Sequence, residues 1–208
     1  MLSTPRSWRR SNNLWWMPRR RHDRRQSRSL QMSIFNTARR RKGRHTMPEK
    51  TMRDAINEAL HQAMEQDESV FVIGEDVAGC NGSAGDVGSV GGVFGVTTGI
   101  YNRWPDRCVD TPISESAIVG AAAGAALVGM RPVAEIMFAD FIGVCMDQIV
   151  NQMAKFRYMF GGKSRCPAVI RFSAGGGFSA AGQHSQAMYQ VMTSFPGLKV
   201  VVPSNAYD

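Results

Sequence analysis

An orderly alternation of apolar and polar positions begins at Met47. Thr51, with Asp54 three residues on, reads as a helix start, and Met52, Ile56, Leu60, Ala63 and Met64 then share one helical face. "SVFVIG" at 69–74 is a continuous apolar run of strand length. The stretch 79–99 is rich in glycine, has no period and predicts a loop. "RCVDT" at 107–111 predicts a short strand ending at Pro112, and 116–130 a helix of small residues. In that helix Gly120 and Gly124 are expected to admit a close backbone. "RPVAEIMF" (131–138) and "CPAVIRFS" (166–173) predict strands, and "CMDQIVNQMAKFRYM" (145–159) an amphipathic helix. A second glycine loop at 174–182, a mostly helical "HSQAMYQVMTSFP" and a last strand "LKVVVPS" (198–204) complete the pattern. Strand and helix alternate, and the strands are unbroken apolar runs. That predicts an α/β protein, a parallel sheet with helices on both faces.

The net charge of +8 is unevenly spread. Residues 1–46 hold 14 of the 25 Lys and Arg and one acid, Asp23, which leaves 47–208 with 11 bases, 16 acids and a net of −5. The arm 1–46 has too few aliphatics to build a core. Three readings of it stand: a nucleic-acid-binding arm, an Arg- and Ser-rich transit peptide, or translated sequence upstream of a natural start at Met47. The last is preferred, because periodicity begins only there. The domain division is therefore 1–46, a basic arm, and 47–208, one domain.

The four cysteines (Cys80, Cys108, Cys145, Cys166) have no CxxC or zinc spacing and suit a reduced, intracellular protein. Cytoplasmic location is expected, or the mitochondrial matrix if the arm is a transit peptide. The longest apolar run, Ala117–Met130, has 14 residues, short of the roughly 18 that span a bilayer. GxGxxG, GxxxxGK[ST] and GxSxG are absent, which leaves dinucleotide binding, P-loop hydrolysis and an esterase elbow without support. Beyond residue 46 the only histidines are His61 and His184, so a two-histidine metal site is not expected.

Ligands of parallel sheets bind beyond the carboxyl ends of the strands. Glu115, Asp140 with Phe141, and His184 fall there. Each also has a plain structural reading. Glu115 suits a helix start, where the dipole favours an acid; His184 suits capping or packing; the glycine loops suit turn chemistry.

Six blocks in order, "VFVIGEDV", "VDTPISE", "GMRPVAEIMFADF", "DQIVNQMAKFRYMFGG", "GQHSQ" and "PGLKVVVPS", resemble the β subunit of the thiamine-diphosphate-dependent dehydrogenases of 2-oxoacid dehydrogenase complexes. That family includes pyruvate, branched-chain 2-oxoacid and acetoin dehydrogenases. The resemblance runs from about Met47 to Asp208, and "GGVFGVTTGIYNRWPDR" and "NQMAKFRYMFGGK" look nearest the acetoin type. It implies a transketolase-like pyrimidine-binding domain, with a C-terminal domain of the family absent from this sequence. It also implies a heterotetramer, in which an α subunit carries the diphosphate and its Mg²⁺ through a GDG motif; "AGDVGS" here is not one. The implied activity is cleavage of acetoin or a 2-oxoacid such as pyruvate, with transfer of the acyl group to lipoamide on a dihydrolipoamide acyltransferase core. Other transketolase-like thiamine enzymes carry both cofactor halves on one chain.

The resemblance also assigns residues. Glu115 would face the ring nitrogen of the cofactor's aminopyrimidine. A carboxyl there favours the imino tautomer, whose nitrogen takes the proton from the thiazolium carbon, and a low-dielectric setting strengthens that hydrogen bond. Ile113, Met137 and Phe141 would sandwich the pyrimidine. His184 would line the channel toward substrate and lipoamide. Glu75 would be a further site-facing acid. Asp140 receives no role.

Overall fold

Thr51 starts the first helix as its spacing predicts. Its Oγ1 accepts a hydrogen bond from the Asp54 N–H at 3.1 Å, at the head of α1 (Met52–Gln66). Asp67 ends that helix and turns the chain: its Oδ1 accepts from Ser69 N (2.9 Å) and Ser69 Oγ (2.6 Å). The Ser69 bonds hold the Asp67 carboxyl below the usual range. The computed structural model describes residues 49–79 and 91–208. The arm 1–46, the start at Met47, Cys80 and the middle of the first glycine-rich stretch lie outside the described residues.

After α1 come β1 (Val70–Glu75), α2 (Ile100–Arg103), β2 (Cys108–Thr111), α3 (Glu115–Leu127), β3 (Arg131–Phe138), α4 (Phe156–Met159), β4 (Val169–Ser173) and α5 (Tyr189–Met192). The sheet runs β2-β1-β3-β4, with every pairing parallel. Val72 lies beside Cys108, Val70 beside Arg131, and Val133 beside Val169. Successive side chains point to opposite faces. Val70 and Val72 pack with Leu60 and Met64 of α1 on one face. Ile73, Ala134 and Ile136 pack with Ile118, Val119 and Ala122 of α3 on the other. Each large aliphatic side chain so buried contributes about 1.5–3 kcal/mol. The expected parallel α/β architecture, covered on both faces, is what the chain adopts.

Four local expectations need correction. The close approach expected at Gly120 and Gly124 does not occur: a methyl group at Gly120 would meet Gln148 at an ordinary 3.7 Å, and one at Gly124 would meet nothing within 4 Å. α3 packs through its alanines instead, with Ala122 and Ala126 buried. The run 145–159 is helical but is not one α-helix. Residues Gln148–Met153 form a π-helical stretch, with Ala154 N donating to Ile149 O at 3.0 Å, before the short α4. The wider turn re-phases the segment so that Ile149 and Phe156 both reach the interior.

The predicted helix after His184 shrinks to Tyr189–Met192. The predicted strand 198–204 joins no ladder, and Val201 and Val202 are 78% and 56% exposed. A parallel neighbour needs a crossover that brings it back onto the sheet. The single short helix α5 is too little for that. A groove of about 430 Å³, lined by Ile149, Met153, Ile170 and Phe172 among others, separates 197–201 from β4. Gly197 (φ 98°) crosses the backbone of Ala154, where a methyl group would sit 2.2 Å from the Ala154 carbonyl oxygen.

Candidate active site at the strand carboxyl ends

β1 and β2 finish side by side, with Gly74 opposite Asp110 and Glu75 opposite Thr111. Beyond Glu75 the chain reverses through Asp76, a non-glycine residue at φ 53°. Such a conformation costs on the order of 1 kcal/mol and persists only where neighbours over-determine it. The turn is held from β2: Ala78 N donates to Asp110 Oδ1 at 3.3 Å. Beyond β2, Pro112 and Ile113 lead to α3. Ser114 precedes that helix without capping it; its Oγ donates to Pro112 O at 3.0 Å. Glu115 is the first residue of α3 and the one acid of its first turn. Ser116 Oγ donates to Val144 O at 2.7 Å, which fixes this first turn against the segment following β3.

The result is a set of carboxylates at one mouth. Burial pushes the Glu75 carboxyl up, and the charges of Asp76, Glu115 and Asp110 push it further. Burial also raises Asp110, opposed by the N–H of Ala78. This mouth therefore offers two carboxyl groups, Glu75 and Asp110, held toward the protonated, hydrogen-donating form.

Linkage gives the sign of the effect on stability. Because the folded value of Glu75 lies above its ordinary 4.5, the folded chain binds that proton more tightly than the unfolded one. The contribution is fully present below pH 4.5 and is lost as pH rises through the folded value. Glu75→Gln is expected to raise the urea midpoint at pH 7, with the gain shrinking toward pH 4. A gain independent of pH would remove Glu75 from the field of its neighbours.

Aromatic rings build the other side. The His184 ring meets Phe138 edge-on at 4.8 Å and Phe141 at 5.2 Å. Phe138 also touches Phe94 and Phe178, one from each glycine-rich stretch, at 5.4 and 6.0 Å. Asp140, between Phe138 and Phe141, accepts hydrogen bonds from Gln186.

Of the residues singled out in the sequence, Phe141 and His184 are thus in ring contact, and Glu75 and Glu115 are within each other's field. Ile113 is 74% exposed at the mouth, while Met137 is 7% exposed, within the interior. Phe94, Phe138, Phe178, Asp76 and Asp110 were missed. A signal existed for two of them, since a lone phenylalanine inside each glycine-rich run has no loop-forming reason to be there. Among the described residues no group of His, Cys, Asp and Glu is arranged to hold a metal ion, and no helix is long and apolar enough to cross a membrane.

Comparison with known proteins agrees with the fold. The family model "Transketolase, pyrimidine binding domain" matches residues 48–208. The chain is 60% identical, over 74% of its length, to the acetoin:2,6-dichlorophenolindophenol oxidoreductase subunit beta of Cupriavidus necator, of which the match covers 46%. It is 56% identical, over 76% of its length, to the Bacillus subtilis protein of the same name, of which the match covers 47%. The chain thus spans about half the length of the curated relatives it matches. A solved structure described as a split gene transketolase, an inactive beta4 tetramer, shares the fold with a TM-score of 0.54 and 22% identity, over 76% of this chain and 45% of that one.

Proposed function

The chain belongs to the family of transketolase pyrimidine-binding domains, and from that premise we propose that it is the pyrimidine side of a thiamine-diphosphate-dependent dehydrogenase β subunit. With an α subunit it cleaves acetoin or a 2-oxoacid such as pyruvate. The acyl group passes to lipoamide on a dihydrolipoamide acyltransferase core. The observation that carries this reading is Glu115, at the start of α3 beyond the carboxyl ends of β1 and β2, close enough to Glu75 for its charge to act on that buried carboxyl.

The residues fit an aminopyrimidine ring. Thr111 Oγ1, at the end of β2, is buried without a hydrogen-bond partner among the described residues. Ile113 offers an uncovered apolar face, and Phe141 an aromatic one. When bound, thiamine diphosphate supplies a carbon nucleophile and an electron sink for cleavage beside a carbonyl. Glu115 would hold the proton at the ring nitrogen and return it, as a general acid and base. Val119 and Ala122, fully buried behind it, keep water from the helix side. Ile113, Met137 and Phe141 would hold the ring, and Glu75, whose carboxyl burial holds toward its protonated form, would stand beside Glu115. His184 would orient the acyl group on its way to lipoamide. The diphosphate and Mg²⁺ fall to the α subunit.

Co-expression with the GDG-bearing α subunit of the same source tests this reading. The expected result is a co-purifying complex that reduces dichlorophenolindophenol with acetoin or pyruvate and requires added thiamine diphosphate. A folded chain that neither pairs nor supports turnover overturns it.

A further inference from the structure

Asp140 stands in a short 3-10 turn, Ala139–Gly143, that follows β3 directly. Ala139 and Ile142, on either side of it, are fully buried, so the turn is anchored in the core. The Asp140 carboxylate accepts from Gln186 three times: from Nε2 at 2.9 Å on Oδ1, and from the backbone N–H at 3.3 Å on Oδ1 and 3.4 Å on Oδ2. The Gln186 carbonyl accepts from Gly175 N at 3.2 Å, which closes the glycine loop at its base. Among the described residues, no other hydrogen bond ties the segment 174–187 to the rest of the fold. In the loop, Gly175 and Gly177 take φ of 91° and 101°, a region that glycine enters without strain. Ser179 and Ala181, both at φ 61°, adopt a conformation that strains a non-glycine residue.

His184 lies two residues before Gln186. The two rings it meets, Phe138 and Phe141, flank Asp140 in sequence. The end of β3 and the turn after it therefore hold the histidine twice, by the rings that bracket its imidazole and by the carboxylate that fixes its backbone two residues on. Ring contacts alone leave the loop free to slide along an apolar surface. The carboxylate sets its register. We infer that Asp140 is a positioning residue for His184, acting through Gln186. The inference rests on the role given to His184 in the proposed function.

The test uses the assembled enzyme for kinetics and the full chain, with labelled histidine, for NMR. Asp140→Ala is expected to lower kcat for acyl transfer about 10- to 100-fold, the scale of a misplaced group, with cofactor affinity unchanged. Asp140→Asn keeps one oxygen able to accept the two Oδ1 contacts and should retain most activity. In a His184→Ala background, Asp140→Ala should cause no further loss, since groups acting as a unit are not additive. The His184 imidazole resonances, shifted by the Phe138 and Phe141 rings, should move toward those of free histidine in Asp140→Ala and stay in Asp140→Asn. Gln186→Ala, which removes only the 2.9 Å contact, should move them part of the way even if Asp140→Ala fails to fold. Unmoved resonances in Asp140→Ala or, should that variant not fold, in Gln186→Ala, or fully additive losses, overturn the inference. Normal turnover in His184→Ala would instead overturn the role of the histidine, and the NMR shifts would still decide whether Asp140 holds it.

Discussion

Glu115→Gln is expected to leave the chain folded and to lower turnover of the assembled enzyme by about 10²- to 10⁴-fold, the usual worth of a positioned general acid and base. Glutamine keeps the size and the hydrogen-bonding reach of the side chain but gives up its titrating proton. The structural cost is small. A first-turn acid contributes about 0.3–1 kcal/mol to its helix. Against that, the charge of Glu115 is one of the three that burden Glu75, and removing it relieves the cluster. Stability and catalysis should therefore separate cleanly. Dye reduction with saturating thiamine diphosphate, read beside a thermal melt, checks both. Near-normal turnover would return Glu115 to the role of an ordinary helix-start acid.

The second large effect belongs to the sheet. Glu135, on β3, is 4% exposed and lies in register between Gly74 of β1 and Arg171 of β4. Its carboxylate forms an ion pair with the Arg171 guanidinium. Arg171→Met is expected to destabilise the fold by about 3–5 kcal/mol, because it strands a carboxylate inside the sheet. Replacing both residues with methionine should recover most of that loss, since the buried pair itself contributes little against apolar residues of similar volume. Urea unfolding of the single and double variants decides the matter. A loss below about 1 kcal/mol for Arg171→Met would mean that water reaches Glu135, as it does for exposed pairs. Gly74 belongs to the same arrangement: a methyl group there would sit 2.9 Å from the Glu135 carbonyl oxygen and 3.0 Å from its Cβ.

The strands that could be read from the sequence are those whose apolar runs find a partner on both sides or at a ready edge. β1, β2, β3 and β4 all fall within the predicted runs or one residue beyond. The run at 198–204 has the same composition, but joining a ladder depends on the connection before it, and composition does not report that. The π-helical stretch was equally hidden, because its apolar spacing fits a 3.6-residue period closely enough to pass as regular helix. At the site, Glu115 and His184 stood out because each is a polar residue set against an apolar or glycine-rich surround. Asp110 and Asp76 did not stand out, since an acid at a strand end reads as a turn residue. Only the parallel pairing of β1 with β2 gathers them around Glu75. Asp140 could be seen in the sequence, but its partner Gln186 lies on another loop, and no spacing rule connects them.

The strand order β2-β1-β3-β4 has a kinetic consequence. No rung of the sheet is local: Val72 waits for Cys108, Val70 for Arg131, and Val133 for Val169. Each closes a loop of tens of residues before any ladder bond can form, and the entropy of closure must be met first. Chains with such distant pairings fold more slowly than helical bundles of similar stability and expose unpaired strands while they do so. Of the two interior strands, β1 is the more dependent, because both of its neighbours are made after it in the chain. During synthesis its apolar run therefore stays without a partner until β2 and β3 have emerged, and this interval is when the nascent chain is most open to chaperone binding and to misassociation.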